Sequence, residues 1–316
     1  LNMGGNTLTV TGTLNVGRNF TLNSALGIAT GTVSVNGNVT TLDPTVDNDA
    51  TLLFTGSGNQ LWSAGGGSGE LPFVTINKSG GTLSLQDTLL VYRDFTHTLG
   101  TVNAGTSTVV FDTWDKTVTT NGMSFNNVTI QAGGNSFTAS GTLDINGNLT
   151  ITSAATIDGG TFAVGGHLTS ADSSINGTAS ITLDGGGPQN INVTGDLPDG
   201  TFTINKSIGT TAVLLANFTT ALDGSGQDLT ITQGALDLAG FNLTVPDVLT
   251  VGASGILQLE GGETTVSYNT LTLDTDSIVL YDGGGSYTGL KMGNAYSNLS
   301  FDNAAGSWSL DNPLDV

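Results

Sequence analysis

Residues 141–151 read Gly141-Thr-Leu-Asp-Ile-Asn-Gly-Asn-Leu-Thr-Ile151, and the fold follows from this stretch. Its apolar residues alternate with polar ones on both sides of a central Asn-Gly pair. An alternation with period two indicates strands that bury one face. Asn and Gly favour turns, because Gly tolerates positive φ and Asn bonds to its own backbone. The stretch therefore predicts two short strands separated by a tight turn.

The opening phrase of this stretch, a Gly followed by alternating polar and apolar residues, recurs in pairs along the chain. The four pairs begin at Gly12 and Gly31, Gly81 and Gly100, Gly141 and Gly160, and Gly234 and Gly255. The two members of each pair lie about 20 residues apart, within the range of known structural repeats. A repeat of this length indicates a solenoid, in which each unit buries its apolar side only by stacking on its neighbours.

We therefore predict an all-β fold, a right-handed parallel β-solenoid (β-helix) of about 16 coils with roughly 19 residues each. Residues 1–316 are predicted to form a single elongated solenoid. Inward-pointing side chains form ladders along its axis, and outward Thr, Asn, Asp and Ser face water. The predicted core ladder includes Leu14, Val16, Leu143, Ile145, Leu236 and Leu238.

Composition excludes several classes of function. The 316 residues contain 47 Gly and no Cys, and their 26 acidic against 6 basic residues give a net charge of −20. This charge argues against binding to nucleic acid or to anionic lipid, both of which need a basic face. No apolar run approaches the roughly 20 residues that span a bilayer. The lack of Cys excludes disulfides and thiolate metal sites.

A longer repeat overlies the short one. The pentapeptide Thr-Ile-Asn-Lys-Ser occurs at 75–79 and again at 203–207, which places Lys78 and Lys206 at one module position. Each copy follows a segment that ends in Gln, at Gln60 and Gln189. A lysine at a strand end usually points into solvent and discourages edge pairing, and this is the prediction for both lysines.

The two ends of the sequence resemble the middle of a module. Residues 1–10 align without a gap to 236–245, and residues 308–316 align to 83–91. Solenoid ends normally need caps, because an open coil presents unpaired strand edges. We expect either a window of a longer solenoid or a filament subunit whose partner is another copy of itself. End-to-end stacking would then involve Leu8, Val10, Leu314 and Val316.

The phrases at 141–151 and 234–245, together with Phe54-Thr-Gly-Ser-Gly-Asn-Gln60, resemble the β-strand repeats of large bacterial surface proteins. That group includes autotransporter passengers and filamentous-haemagglutinin-like adhesins. The resemblance covers nearly the whole chain and rests on structural residues. It implies an exported bacterial protein on the cell surface, acting as a stalk, an adhesin or a sheath component. It identifies no receptor.

Residues with catalytic chemistry are few. His97 and His167 are far apart in sequence, belong to no recognisable catalytic motif and are expected in exposed turns. Most Asp residues occur singly and suit turns. Trp62 and Trp114 follow module-start strands and are expected to pack over bends, although either ring has the chemistry to stack on a sugar. We therefore predict no enzymatic activity.

A Ca²⁺ site is the one metal prediction. Asp47 and Asp49 form one pair of closely spaced carboxylates, and Asp274 and Asp276 form another. Loops rich in carboxylate oxygen suit Ca²⁺, although neither pair has a nearby bidentate Glu. We expect no required cofactor and name Ca²⁺ as the candidate ion.

The sequence thus predicts an extracellular structural rod: a surface stalk, adhesin shaft, sheath or filament subunit. Its expected partners are itself and cell-surface glycans or proteins, without nucleic acid or membrane insertion. One alternative is a β-helix that binds or degrades polysaccharide. A weaker alternative is an ice-binding solenoid, suggested by Thr7, Thr9, Thr11 and Thr13, which alternate on one face.

Overall fold

The computed structural model describes residues 13–22, 30–42, 49–67 and 70–315. These residues contain β-strands and turns and no α-helix. The described part of the chain therefore has no helix with the length and hydropathy of a membrane span. The chain divides into two compact units, Leu1–Thr161 and Phe162–Val316. Leu8, Val10, Asp47 and Val316, named above as candidates, lie outside the described residues.

The strands are short, as the closely spaced turn residues predict. In chain order they are β1 Thr13–Val16, β2 Phe20–Leu22, β3 Thr30–Val35, β4 Val39–Thr41, β5 Asp49–Phe54, β6 Gln60–Ser63, β7 Glu70–Leu71, β8 Phe73–Gln86, β9 Thr88–Val91, β10 Phe95–Asn103, β11 Thr108–Asp112, β12 Lys116–Thr119, β13 Ser124–Phe125, β14 Asn127–Gln131, β15 Ser136–Ser140, β16 Thr142–Ile145, β17 Leu149–Ser153 and β18 Thr156–Asp158. They continue with β19 Thr161–Val164, β20 Leu168–Ser170, β21 Ser180–Leu183, β22 Gln189–Val193, β23 Phe202–Asn205, β24 Thr211–Leu214, β25 Leu229–Asp237, β26 Leu243–Leu259, β27 Val266–Leu273, β28 Ile278–Tyr281, β29 Ser286–Thr288, β30 Asn298–Phe301 and β31 Ser307–Ser309.

Strands that neighbour each other in space are parallel and lie one coil apart in sequence. Val109 on β11 pairs with Val128 on β14. Phe202 on β23 pairs with Leu229 on β25, across a longer coil. The chain is thus a parallel β-solenoid, which confirms the predicted fold class. The described residues form about 13 turns, fewer than predicted, because many corners are longer than the spacing of the paired phrases suggests.

The paired phrases are neighbours in the stack. Thr13 lies opposite Thr32, and Gly234 lies opposite Gly255. The phrase at Gly81 follows the same rule, with Leu83 opposite Val102. A repeat in sequence is therefore a repeat in space, which lets like side chains form ladders. The prediction that residues 1–316 form one elongated solenoid stays a prediction, since the chain divides into two compact units.

The interior consists of apolar ladders. Leu143, Ile145, Leu236 and Leu238 from the predicted ladder are buried, whereas Leu14 and Val16 on β1 are half-buried. Each fully buried Leu, Ile or Val contributes about 1.5–3 kcal/mol relative to its exposed state. Aromatic rings thicken the core of the first unit, where Phe95, Phe111, Phe125 and Phe137 meet edge to face at centroid distances of 5.3–6.2 Å.

Candidate functional site

Lys78 and Lys206 are fully buried, each with 0% of its surface exposed. The prediction that both lysines point into solvent is therefore wrong. A buried ammonium is unfavourable unless its protons are bonded to nearby acceptors. The acceptors come from the preceding coil at both positions, and the two sites share one arrangement.

In the first unit, Lys78 Nζ lies 2.9 Å from Gly58 O and 2.5 Å from Gln60 Oε1. The amide nitrogen of Gln60 donates in turn to Val35 O at 2.9 Å and to Gly37 O at 2.7 Å, one coil further back. Carbonyls, glutamine and lysine thus connect three successive coils. We call this arrangement the first relay.

The second relay repeats this arrangement in the second unit. Lys206 Nζ donates to Gly185 O at 2.9 Å, Gly187 O at 2.8 Å and Gln189 Oε1 at 2.5 Å. Gln189 Nε2 donates to Val164 O at 2.8 Å and also to Gly166 O. Three acceptors match the three protons of an ammonium, so backbone and amide oxygens satisfy the buried Lys206 group.

A glycine covers each lysine from the next coil. A Cβ at Gly100 would lie 2.7 Å from Lys78 Cβ, and one at Gly234 would lie 2.8 Å from Lys206 Cβ. Both contacts are shorter than real side chains allow. Gly100 has φ of 111° and Gly234 has φ of 78°, and these values also favour glycine. Each relay with its covering glycine therefore spans four coils.

Burial shifts the acid–base behaviour of these lysines. Desolvation lowers the pKa of Lys206 to about 8, although the Asp184 carboxylate acts in the opposite direction. Desolvation also lowers the pKa of Lys78. The folded state thus holds both ammonium groups less readily than water does.

Two further buried polar side chains occupy corners of the second unit. Gln227 Nε2 donates to Pro198 O at 2.8 Å and Gly200 O at 3.0 Å, as Gln60 and Gln189 do in their relays. The Glu263 carboxylate accepts 2.8 Å bonds from the backbone N–H groups of Glu260 and Gly261. Buried polar chemistry is therefore used to fix the backbone at corners.

His97 is buried, so its predicted place in an exposed turn is wrong. Its Nδ1 lies 2.7 Å from Thr120 O and its Nε2 lies 2.9 Å from Gly100 O. Carbonyl oxygens only accept, so both contacts are hydrogen bonds only when the ring carries two protons. His167 is exposed as predicted, and its Nδ1 accepts from Asn190 N at 3.0 Å.

Asn and Asp side chains connect successive coils at the surface. Asn19 Oδ1 accepts from Asn38 N at 3.0 Å, and Asn38 Oδ1 accepts from Leu61 N at 2.9 Å. Asp94 and Asp228 cap backbone N–H groups of later coils in the same way. These amide and carboxylate oxygens accept hydrogen bonds from backbone N–H groups that have no strand partner in the turns.

Three of the four predicted metal ligands, Asp49, Asp274 and Asp276, lie among the described residues. Asp49 lies 3.5 Å from Arg93, and Asp47 lies outside the described part. Asp274 and Asp276 lie in an exposed turn, where Ser277 N donates to Asp274 O at 3.0 Å. The described ranges contain no group of three or more His, Cys, Asp or Glu placed to hold a metal. The Ca²⁺ site remains a prediction.

Asp196 is a buried acid in the second unit. Its carboxylate accepts from Ile175 N at 3.0 Å and Leu197 N at 2.8 Å. Desolvation raises its pKa to about 7 against these hydrogen bonds, and the charges of Asp223 and Asp199 act in the same direction as burial. The neutral form of Asp196 is thus more favourable in the folded protein than it would be in water.

The tryptophans differ in environment. Trp62 is fully buried against Phe54 at a centroid distance of 5.4 Å, which agrees with the predicted packing over a bend. Trp114 is 45% exposed, so the same prediction is wrong for this residue. The Arg93 guanidinium lies 4.4 Å from the centroid of the Trp114 ring.

The terminal coil leaves a core ladder open. Phe301 lies opposite the buried Tyr281, yet it is 43% exposed. Trp308 lies opposite Tyr287 in the neighbouring strand pair. A cleft of about 290 Å³ is lined by Phe301, Trp308 and Leu314, and Leu314 is a predicted stacking residue.

Comparison with known proteins gives no match to a protein-family model, to a curated protein or to a solved structure. The candidate site therefore rests on geometry alone. The signal for the relays was present in sequence, because each repeated Lys follows a Gln by slightly less than one coil. Reading the two residues as stacked partners would have predicted their contact.

Proposed function

We propose that this chain is a non-enzymatic structural solenoid, serving as an extracellular stalk, adhesin shaft, sheath or filament subunit. The observation that carries the proposal is the presence of one buried relay in each unit. The polar groups of Lys206, Gln189 and their carbonyl partners lie in the interior. They form hydrogen bonds between consecutive coils. Such bonds resist sliding and separation of coils, which is what a load-bearing element needs.

The open terminal coil supports the proposal of a stacking partner. Its exposed Phe301 continues the ladder of the buried Tyr281, and the exposed Leu314 lines the same cleft as Phe301. A further coil, from a longer chain or from a second copy, would cover them. A second copy would make a heterologous contact that repeats without closing.

Single-molecule pulling of the 316-residue chain from its two ends tests the mechanical role. We expect the wild type to unfold at a higher force than the relay variant Gln60→Leu/Gln189→Leu. The matched control is Gln258→Leu, because Gln258 is half-buried and donates to Asp282 Oδ2 at 2.7 Å outside either relay. Equal forces for the wild type and the relay variant would contradict the proposal.

A second measurement addresses the enzymatic alternative. The purified chain is incubated with pectin, alginate and xylan, and new reducing ends and unsaturated products are quantified. We expect no product above that of a heat-denatured sample. Sustained release from any of these polymers would overturn the non-enzymatic assignment.

A further inference from the structure

The loop between β11 and β12 has a strained backbone. Thr113 has φ of 39° and Trp114 has φ of 48°, both in the left-handed region. This region is unfavourable for residues with side chains, and above all for β-branched Thr. Each such residue costs about 1–3 kcal/mol and persists only where its surroundings hold it, and strain of this kind is common at ligand sites.

Lys116 holds the strained loop. Its side chain is buried, and its Nζ donates to Trp114 O at 2.6 Å and also to Thr113 O. The two carbonyls of the strained residues thus share one cation. This contact fixes the backbone that carries the Trp114 ring before any ligand arrives.

The Trp114 ring is held in place from one side. The Arg93 guanidinium lies 4.4 Å from the ring centroid, and Arg93 also lies 3.5 Å from the Asp49 carboxylate. A cation over an indole face is attractive by about 0.5–2 kcal/mol. Trp114 remains 45% exposed, so the ring presents apolar surface to solvent in a fixed orientation.

A shallow polar cleft is lined in part by the residues that follow Arg93 and Trp114 in sequence. It has a volume of about 160 Å³ and is lined by Asp94, Asp115, Lys116, Thr117, Ser136 and Thr138. Asp94 Oδ1 accepts from Thr117 N at 2.7 Å, and Asp115 Oδ1 accepts from Ser136 N at 2.8 Å. A carboxylate has about four acceptor positions, so both groups have capacity for hydroxyl donors beyond these bonds.

We propose that Trp114 and this cleft bind one ring of a neutral oligosaccharide. The axial C–H face of a pyranose stacks on an indole ring, and its hydroxyls donate to carboxylates and accept from Ser and Thr hydroxyls. Asp94, Asp115 and the net charge of −20 disfavour uronates and sulfated sugars. The inference stands apart from the proposed mechanical role, because the site and the relays share no residue.

Isothermal titration calorimetry with cellopentaose and mannopentaose tests the site, with a galacturonate pentamer as the charged counterpart. We expect at least one neutral pentamer to bind and the galacturonate to bind at least about tenfold more weakly. Trp114→Ala should weaken the binding at least about tenfold, which corresponds to about 1.4 kcal/mol. Trp114→Phe should retain part of the affinity, and its circular dichroism spectrum checks that the chain folds.

Trp308→Ala is the matched control, because Trp308 lies in the terminal coil and lines a different cleft. It should bind the neutral sugar as the wild type does. Absence of binding by both neutral pentamers at millimolar concentration would overturn the proposal. Equal binding of the galacturonate, or an equal loss in Trp308→Ala, would also overturn it. Failure of this site would leave the pulling experiment and its interpretation unaffected.

Discussion

At the scale of single residues, the unusual feature of this chain is that three of its six Lys and Arg residues are buried. Lys78, Lys116 and Lys206 are all buried among carbonyl and amide oxygens. The ammonium group of such a lysine is hydrogen-bonded to neutral oxygen atoms instead of being paired with a carboxylate. Substitution of the lysine leaves several hydrogen-bond acceptors without partners. The resulting loss of stability therefore depends on the site.

Replacing Lys206 by Met is expected to lower the free energy of unfolding by about 2–3 kcal/mol. The change leaves Gly185 O, Gly187 O and Gln189 Oε1 without this donor, and each lost bond costs about 1 kcal/mol. Urea unfolding followed by circular dichroism measures the loss. Lys291→Met is the control at a half-buried lysine, and an equal loss there would contradict the role of the relay.

Asp196 should make stability depend on pH. Burial raises its pKa from the ordinary value of 3.8 to about 7 in the folded state. A raised pKa favours the folded state fully below about pH 4, and this contribution is lost as the pH rises through 7. Asp196→Asn removes the titrating group but keeps an acceptor oxygen for only one of Ile175 N and Leu197 N, a loss of about 1 kcal/mol that does not depend on pH. Relative to the wild type, the variant should therefore gain about 1–3 kcal/mol between pH 4 and pH 8.

Thermal unfolding of the wild type and Asp196→Asn between pH 4 and 8 checks this prediction. The pKa of Asp237 is also raised by burial, so the wild-type curve includes a second acid with the same sign. The difference between the two proteins isolates Asp196. Parallel curves over this range would show that Asp196 does not titrate in it.

At the scale of the coil, close stacking restricts what a corner tolerates. Gly234→Ala should destabilise the protein more than Gly209→Ala, although φ is 78° at Gly234 and 79° at Gly209. A Cβ at Gly234 meets Lys206 Cβ at 2.8 Å, whereas a Cβ at Gly209 has nothing within 4 Å. Backbone strain is thus matched, and the contact should add about 1–3 kcal/mol.

Chemical denaturation of the two alanine variants measures this difference. Gly209→Ala should lose about 1–2 kcal/mol from its left-handed backbone alone. Similar losses in both variants would mean that Lys206 moves aside without penalty. That result would weaken the view that the relay is rigid.

The strands and the ladders were predictable from alternation and from the paired phrases, whereas the relays could be found only by interpreting the recurring Gln–Lys spacing as a contact between coils. Alternation in stretches such as 141–151 indicates strands directly, and the paired phrases reveal which strands stack. Lys78 has the sequence signature of an exposed strand end, and its burial depends on Gln60 and Gly58 in the preceding coil. Coils differ in length between one part of the chain and another, so the alignment of such partners is not fixed by a constant period.

The burial of single residues was predicted correctly at some positions and wrongly at others for the same reason. Trp62 and Trp114 follow similar strands, yet one is buried and the other is exposed. The difference arises from the left-handed turn at Thr113 and Trp114, which nothing in their residue types requires. The sequence pattern predicts the face of the sheet on which a strand residue lies. It does not predict the backbone conformation or the side-chain burial at corners as well.

At the scale of the whole molecule, the net charge of −20 should oppose compaction through self-repulsion. Raising NaCl from about 20 to 300 mM shortens the Debye length from about 20 to about 6 Å and should raise the melting temperature. Differential scanning calorimetry gives the size of the shift. A melting temperature that falls with salt would indicate that attractive charge pairs dominate instead.

The same measurement with CaCl₂ and MgCl₂ at equal ionic strength tests the Ca²⁺ site. The predicted site requires a larger shift with Ca²⁺ than with Mg²⁺, and equal shifts would contradict it. A larger shift with Ca²⁺ that disappears in Asp274→Asn/Asp276→Asn would show a specific site. Titration of the wild type with Ca²⁺ would then give its affinity.

The relays also limit how a gene for such a chain can grow. Duplicating one coil within a plain apolar ladder keeps every side chain next to a similar one. Duplicating one coil between Gln189 and Lys206 would separate the lysine from its three acceptors. Unequal recombination is therefore expected to preserve the four-coil relay as a block, and changes in the number of coils should accumulate outside it.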